Sequence, residues 1–64
     1  MSKRKLTLTV HETSRDTVAL IEVHAINSKG HEVFRVTAPR ERRSDAVWRA
    51  SMEGIDRGYA VEGP

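Results

Sequence analysis

The residue types best suited to chemistry are three histidines, His11, His24 and His31, and nine carboxylates. All three imidazoles fall in segments of strand-like alternation and project to one side of a sheet. Imidazoles gathered there could hold zinc or copper, with Glu22 as a further ligand. The expected pairing works against it. His24 sits near Lys5 and Val33, His31 lies by a turn, and His11 stands at the far end of its strand, several residues and many ångströms away. Nucleophilic chemistry has equally little to start from. Ser14, Ser28, Ser44 and Ser51 lie at turns, a helix start and a helix face, none beside a histidine–acid pair in a strand–turn–helix context. The carboxylates Glu12, Asp16, Glu22, Glu32, Glu41, Asp45, Glu53, Asp56 and Glu62 are scattered, mostly beside basic residues, and no glycine-rich loop follows a strand to cradle phosphate. The expectation is a protein that is not an enzyme and takes no metal or cofactor.

Size and composition narrow the classes further. Sixty-four residues hold one core, and a chain of this length buries only about 60% of the surface its unfolded form exposes. Cysteine is absent, which removes disulfides and thiolate ligands and raises the expectation of self-association. The net charge of +2 is concentrated in two clusters, Lys3–Lys5 and Arg40–Arg43, the second interrupted by Glu41. No apolar run approaches the roughly 20 residues of a membrane-crossing helix. The charged amino terminus has no apolar stretch behind it, so no secretory signal is read. No membrane partner is expected, and the expected location is cytoplasmic.

The elements that must position any site read as α+β, a three-stranded antiparallel meander packed on one face by a carboxy-terminal helix. Residues 5–12 alternate strictly, with Leu6, Leu8 and Val10 toward the core. Thr13–Asp16 reads as a turn, and 17–27 as a long, mostly apolar strand. Asn27-Ser28-Lys29-Gly30 is a strong turn signal, with Asn opening and Gly closing on a positive φ. Residues 31–38 form the third strand, ended by Pro39. The most self-consistent register sets Val23 against Phe34, Ile21 against Val36 and Glu22 against Arg35, with Leu8 opposite Ile21 in the first hairpin.

Residues 44–57 read as an amphipathic helix, with Ser44 as N-cap and Gly58 just past its end. Val47, Trp48, Ala50, Ser51, Met52, Gly54 and Ile55 fall on one arc, which places Trp48 in the core beside Met52 and Ile55. Gly54 is the weak point, because glycine inside a helix costs about 1 kcal/mol relative to alanine. Residues 1–4 and 60–64 are expected to be flexible ends of a single domain spanning 1–64.

The sheet face turned away from this helix is the informative surface. A sheet wetted on one side should be polar there, yet Val18, Leu20, Ile26 and Val33 are expected near its middle. Together with Glu22, His24 and Arg35 they form the expected partner-binding surface, for another protein or a second copy of the chain. Compact free-standing chains of this architecture are common among phage and mobile-element products that inhibit or redirect host machinery, anti-CRISPR proteins among them. The expected function is therefore a small protein-binding module of that kind, able to form a homodimer through this face.

A second expectation is nucleic-acid binding. From Thr17 to Ala50, through the Asn27–Gly30 turn, the third strand and the Asp45-Ala46 helix start, the order of elements resembles two DNA-binding families. These are the arm-binding amino-terminal domains of tyrosine recombinases and the plant AP2-type domain. The resemblance implies a sheet that enters the major groove, with Lys3, Arg4, Lys5, Arg35, Arg40, Arg42 and Arg43 meeting the nucleic acid. Glu22 and the apolar residues on the matching face depart from that pattern.

Overall fold

In the computed structural model, which describes residues 3–64, the chain is α+β with one mixed four-stranded sheet and one helix. Strand β1 (Arg4–Arg15), β2 (Val18–Asn27) and β3 (Glu32–Pro39) form the expected antiparallel meander. A 3-10 turn (Arg40–Arg42) leads into helix α1 (Arg43–Asp56), and the chain then returns as β4 (Tyr59–Glu62). Strand β4 pairs parallel with β1, so the order across the sheet is β3-β2-β1-β4. This fourth strand is a correction to the three-stranded expectation. Four residues are too few to show a clear alternation, so Tyr59–Glu62 carried little strand signal. It also shows that part of the expected flexible tail is paired, while residues 1 and 2 of the other expected end lie outside the described residues.

The parity of β1, of β2 and of β3 from Phe34 onward is as expected, while Val33, expected on the outer face, packs against the core at a bulge; the core is the alternation made solid. Leu6, Leu8, Ile21, Val23 and Ala25 are buried together with Ala46 and Ala50 of α1. Val10, Phe34, Val36, Val47, Tyr59 and Val61 pack around them. The registers, however, are displaced by even steps. Leu8 faces Ala25 and Val10 faces Val23, where Ile21 and Ala19 were expected. In the second hairpin Val23 faces Val36, and Arg35 faces His24 instead of Glu22. An even slip leaves each side chain on its own face, so alternation alone does not detect it.

Turn chemistry explains the first displacement. Strand β1 runs on to Arg15, and the hairpin closes over two residues, Asp16 (φ 50°) and Thr17 (φ 66°). Two central residues with positive φ make a tight hairpin turn that normally selects Asn-Gly or Asp-Gly. Here a β-branched threonine occupies a left-handed position, which is strained and unrecognisable from the usual signal. The second turn is as read. Asn27 Oδ1 accepts hydrogen bonds from the backbone N–H of Lys29 (3.0 Å) and His31 (2.9 Å). Gly30 holds φ 83°. Ile26 faces Glu32, one residue beyond the expected register, and a bulge between Ala25 and Ile26 adds a second step, which together make the second displacement.

Helix α1 begins at Arg43 without a side-chain cap, so Ser44 lies inside the first turn and is not the N-cap. The residues α1 buries are Ala46, Ala50 and Gly54, one every four. At this spacing they form a single narrow stripe of small residues. A Cβ added at Gly54 would stand 2.7 Å from Val61 Cγ2 and 2.8 Å from Leu6 Cδ2. The absent side chain is what lets the helix settle over β1 and β4. Arg57 closes the lower end of the layer, its guanidinium 4.8 Å from the centre of the Phe34 ring and its Nε donating to Glu53 Oε1. Gly58, with φ 88°, turns the chain from helix to β4.

Two stability measurements follow. Gly54→Ala gains about 1 kcal/mol of helix propensity but must displace stiff neighbours at a cost of roughly 1–3 kcal/mol, so a net loss of about 1 kcal/mol is expected in denaturant titration. Thr17→Gly relieves the left-handed threonine and should raise stability by about 1 kcal/mol; an unchanged or lower midpoint would show that the turn is unstrained.

Candidate functional site

Two surfaces hold the residues of interest: the sheet face opposite α1, and the face of α1 opposite the sheet. On the sheet face, the middle rungs are polar. Thr37, Glu22 and His11 stand on one rung, and Arg35, His24 and Thr9 on the next. His11 and His24, expected to be far apart, stack with ring centroids 4.1 Å apart. The register displacement puts them on diagonal neighbours. His24 Nε2 donates to Glu22 Oε1 (2.9 Å), and its Nδ1 lies 3.4 Å from Glu32 Oε1. Arg35 donates to Glu32 from Nε (3.1 Å) and Nη2 (3.0 Å), and to Glu22 from Nη1 (3.3 Å). Thr9 Oγ1 and His11 Nε2 share a hydrogen bond of 3.0 Å.

This network is self-satisfied. Two carboxylates, Glu22 and Glu32, share the one arginine, so Arg35 is not held ready for a phosphate. It does not wire up as a catalytic relay either. The hydroxyl of Thr9 touches His11, but the carboxylates belong to His24, and the two rings meet by stacking without a hydrogen bond. Face-to-face imidazoles also cannot aim their nitrogens at one ion, and no group of three metal-ligating side chains comes together among the described residues.

The apolar residues expected in the middle of this face are instead split between its ends. Leu20 lies opposite Thr13 and Pro39 at one end, with Val18 exposed beyond it. Ile26 lies opposite Thr7 and Glu32 at the other. Val33, the extra residue of the bulge, is half-buried and packs against the core cluster. The expected docking surface of Val18, Leu20, Glu22, His24, Ile26, Val33 and Arg35 is thus two small apolar ends around an ionic centre.

The expected nucleic-acid residues are dispersed too. Lys3, Arg4 and Lys5 lie at or just before the start of β1, beside β4, and Lys5 pairs with Glu62 (3.4 Å). Arg40, Arg42 and Arg43 follow Pro39 at the opposite end of the sheet, where Arg40 pairs with Glu12 and Arg42 with Asp45 (both 3.7 Å). The two basic clusters do not form one patch.

The helix face holds the larger surprise. Trp48, expected in the core, is 65% exposed, and with it Ile55 (49%) and Met52 (39%). Ala46, Ala50 and Gly54 occupy the side of α1 that meets the sheet. At 100° per residue, residues 48, 52 and 55 then project almost directly away from it. The sequence places large apolar residues and small ones on adjoining arcs. Hydrophobicity alone assigns the large ones to the core, whereas close approach to a sheet already filled by leucine, isoleucine and valine selects the small ones. The signal that could have found this was the four-residue spacing of Ala46, Ala50 and Gly54. Comparison with family models, curated proteins and solved structures finds no match for this chain. No helix among the described residues is long and apolar enough to cross a membrane.

The sheet-face network makes a pH prediction. The hydrogen bond from His24, helped by the charges of Arg35 and His24 itself, holds the Glu22 carboxyl below its ordinary value of 4.5, although partial burial opposes this. A carboxyl more acidic in the folded chain adds stability above its unfolded pKa and loses it as pH falls through the folded value. Stability should therefore drop as pH passes below 4.5. Glu22→Gln and His24→Ala should flatten that acid limb in denaturation midpoints, and a variant with the same acid slope as the parent would remove the assigned cause.

Proposed function

We propose that this chain is a small protein-binding module, without catalysis of its own, that docks onto another polypeptide through the outward face of α1. The single observation that carries this reading is the run of Trp48, Met52 and Ile55 on adjoining helical turns, exposed while small residues fill the interface with the sheet. Isolated exposed apolar residues are ordinary on protein surfaces. A tryptophan, a methionine and an isoleucine in one line differ from that, because together they present a continuous apolar strip. Tryptophan is also among the residues that most often carry binding energy at interfaces. An amphipathic helix using i, i+4 and i+7 anchors is a recurrent way for proteins to meet.

The sheet face supports docking less well. Its centre would have to give up water around an ionic network whose members already satisfy one another, and breaking a desolvated charge pair is costly. The nucleic-acid reading loses support for the reasons of geometry given above: Arg35 is engaged twice over by carboxylates, and the basic flanks lie at opposite ends.

The test places variants on each surface and asks which one removes binding. Trp48→Glu and Ile55→Glu should leave thermal stability within about 0.5 kcal/mol of the parent, as expected for exposed positions. They should also abolish capture of any polypeptide partner by the immobilised chain. His11→Ala and Leu20→Glu, on the sheet face, should leave capture intact. Loss of capture by the sheet-face pair with retention by the helix pair would move the site to the sheet.

A further inference from the structure

We propose that the polypeptide seated on α1 is a second copy of this chain, its helix running antiparallel to the first about a two-fold axis beside Met52. This rests on the docking reading above and adds the identity of the occupant. The argument is the self-complementarity of the strip. A two-fold midway between residues 52 and 53 maps the helix onto itself reversed, and the three apolar side chains then interleave. Trp48 of one copy falls next to Ile55 of the other, the two Met52 side chains meet at the axis, and the sequence repeats outward in reverse. Apart from the two flexible Met52 side chains at the axis, no two bulky residues compete for one level.

Charge makes the same choice. Arg49 and Asp56 flank the strip on one side, seven residues apart, and neither takes part in an ion pair within the chain among the described residues. Most other helix-face charges are occupied: Asp45 pairs with Arg42, and Glu53 with Arg57. In an antiparallel pair related by a two-fold, the same flank of each helix faces its counterpart. The axis that interleaves the apolar residues also sets Arg49 level with Asp56 of the second copy, and Asp56 level with its Arg49. Two reciprocal ion pairs result. A parallel arrangement sets this flank against the opposite one, which carries Ser44 and Ser51 and offers no countercharge. The product is a sheet–helix–helix–sheet stack in which each single-layer sheet gains a second covering layer. It suits a chain whose own core is small and has no disulfide.

Sedimentation equilibrium on the intact chain tests this, read with a charge exchange that leaves the core untouched. The parent should approach twice the monomer mass as concentration rises. Arg49→Glu alone and Asp56→Arg alone should each weaken association about tenfold, since each change breaks both symmetric pairs. The double variant Arg49→Glu/Asp56→Arg should restore association to near the parent's strength, which no loss of folding can mimic. Trp48→Glu should sediment as a monomer and melt as the parent does when diluted to where it is itself monomeric. A parent that stays monomeric at millimolar concentration overturns the dimer; the docking reading then stands or falls separately, on whether the helix-face variants still lose a different partner. A dimer indifferent to Trp48→Glu and to the charge exchange, but lost with Leu20→Glu, overturns both.

Discussion

The structure depends on how closely α1 can approach the sheet, and that distance is set by three small residues. Ala46, Ala50 and Gly54 lie on the buried stripe, and at Gly54 there is no space for even a methyl group between the helix and the side chains of Leu6 and Val61. Because the helix lies low, its end delivers the chain alongside β1, and Tyr59–Glu62 can complete the sheet in parallel with Arg4–Thr7. A helix lifted by a larger residue would stand off the sheet and carry β4 away from its partner. The fourth strand and the small-residue stripe are one feature seen from two sides.

The same constraint decides the character of the outer surface. A helix of this length carries more apolar side chains than a narrow stripe can bury. Once the inward positions are given to alanine and glycine, the tryptophan, methionine and isoleucine have only the outward face. Exposing them costs stability that a chain with so small a core has little margin to lose. Their presence is therefore better understood through association than through folding. On the opposite face of the sheet the pattern is reversed. Stacked histidines, two glutamates and an arginine cover the strands with a network that is complete within the chain.

Much of the fold was legible in the residues, and the errors have a common form. Alternation in Leu6–Val10 and Val18–Ile26 identified the core face correctly, and Asn27–Gly30 located its turn, since both signals are local. Register was not legible, because an even slip preserves every facing. The clue that would have fixed it, the two-residue turn, was disguised by a threonine in a left-handed conformation. From the two displacements follows the main revision of the sheet surface: the first brings His24 next to His11, the second sets it against Arg35, and the apolar residues move out to the ends. The fourth strand was missed because its four residues acquire meaning only when the helix brings them to β1.

The helix surface was misjudged for a different reason, which bears on how such chains are read. A hydrophobic arc indicates which side of a helix avoids water, and it does not say against what. Where a helix must lie low on a sheet, size outranks hydrophobicity, and the inward side goes to the residues that permit close packing. The large apolar residues are then left for a contact made after folding. Here the arc contains both kinds side by side, Ala46, Ala50 and Gly54 turned inward and Trp48, Met52 and Ile55 outward. One amphipathic pattern can thus carry two faces: a tight one that shapes the monomer, and an open one for which association is the proposed use.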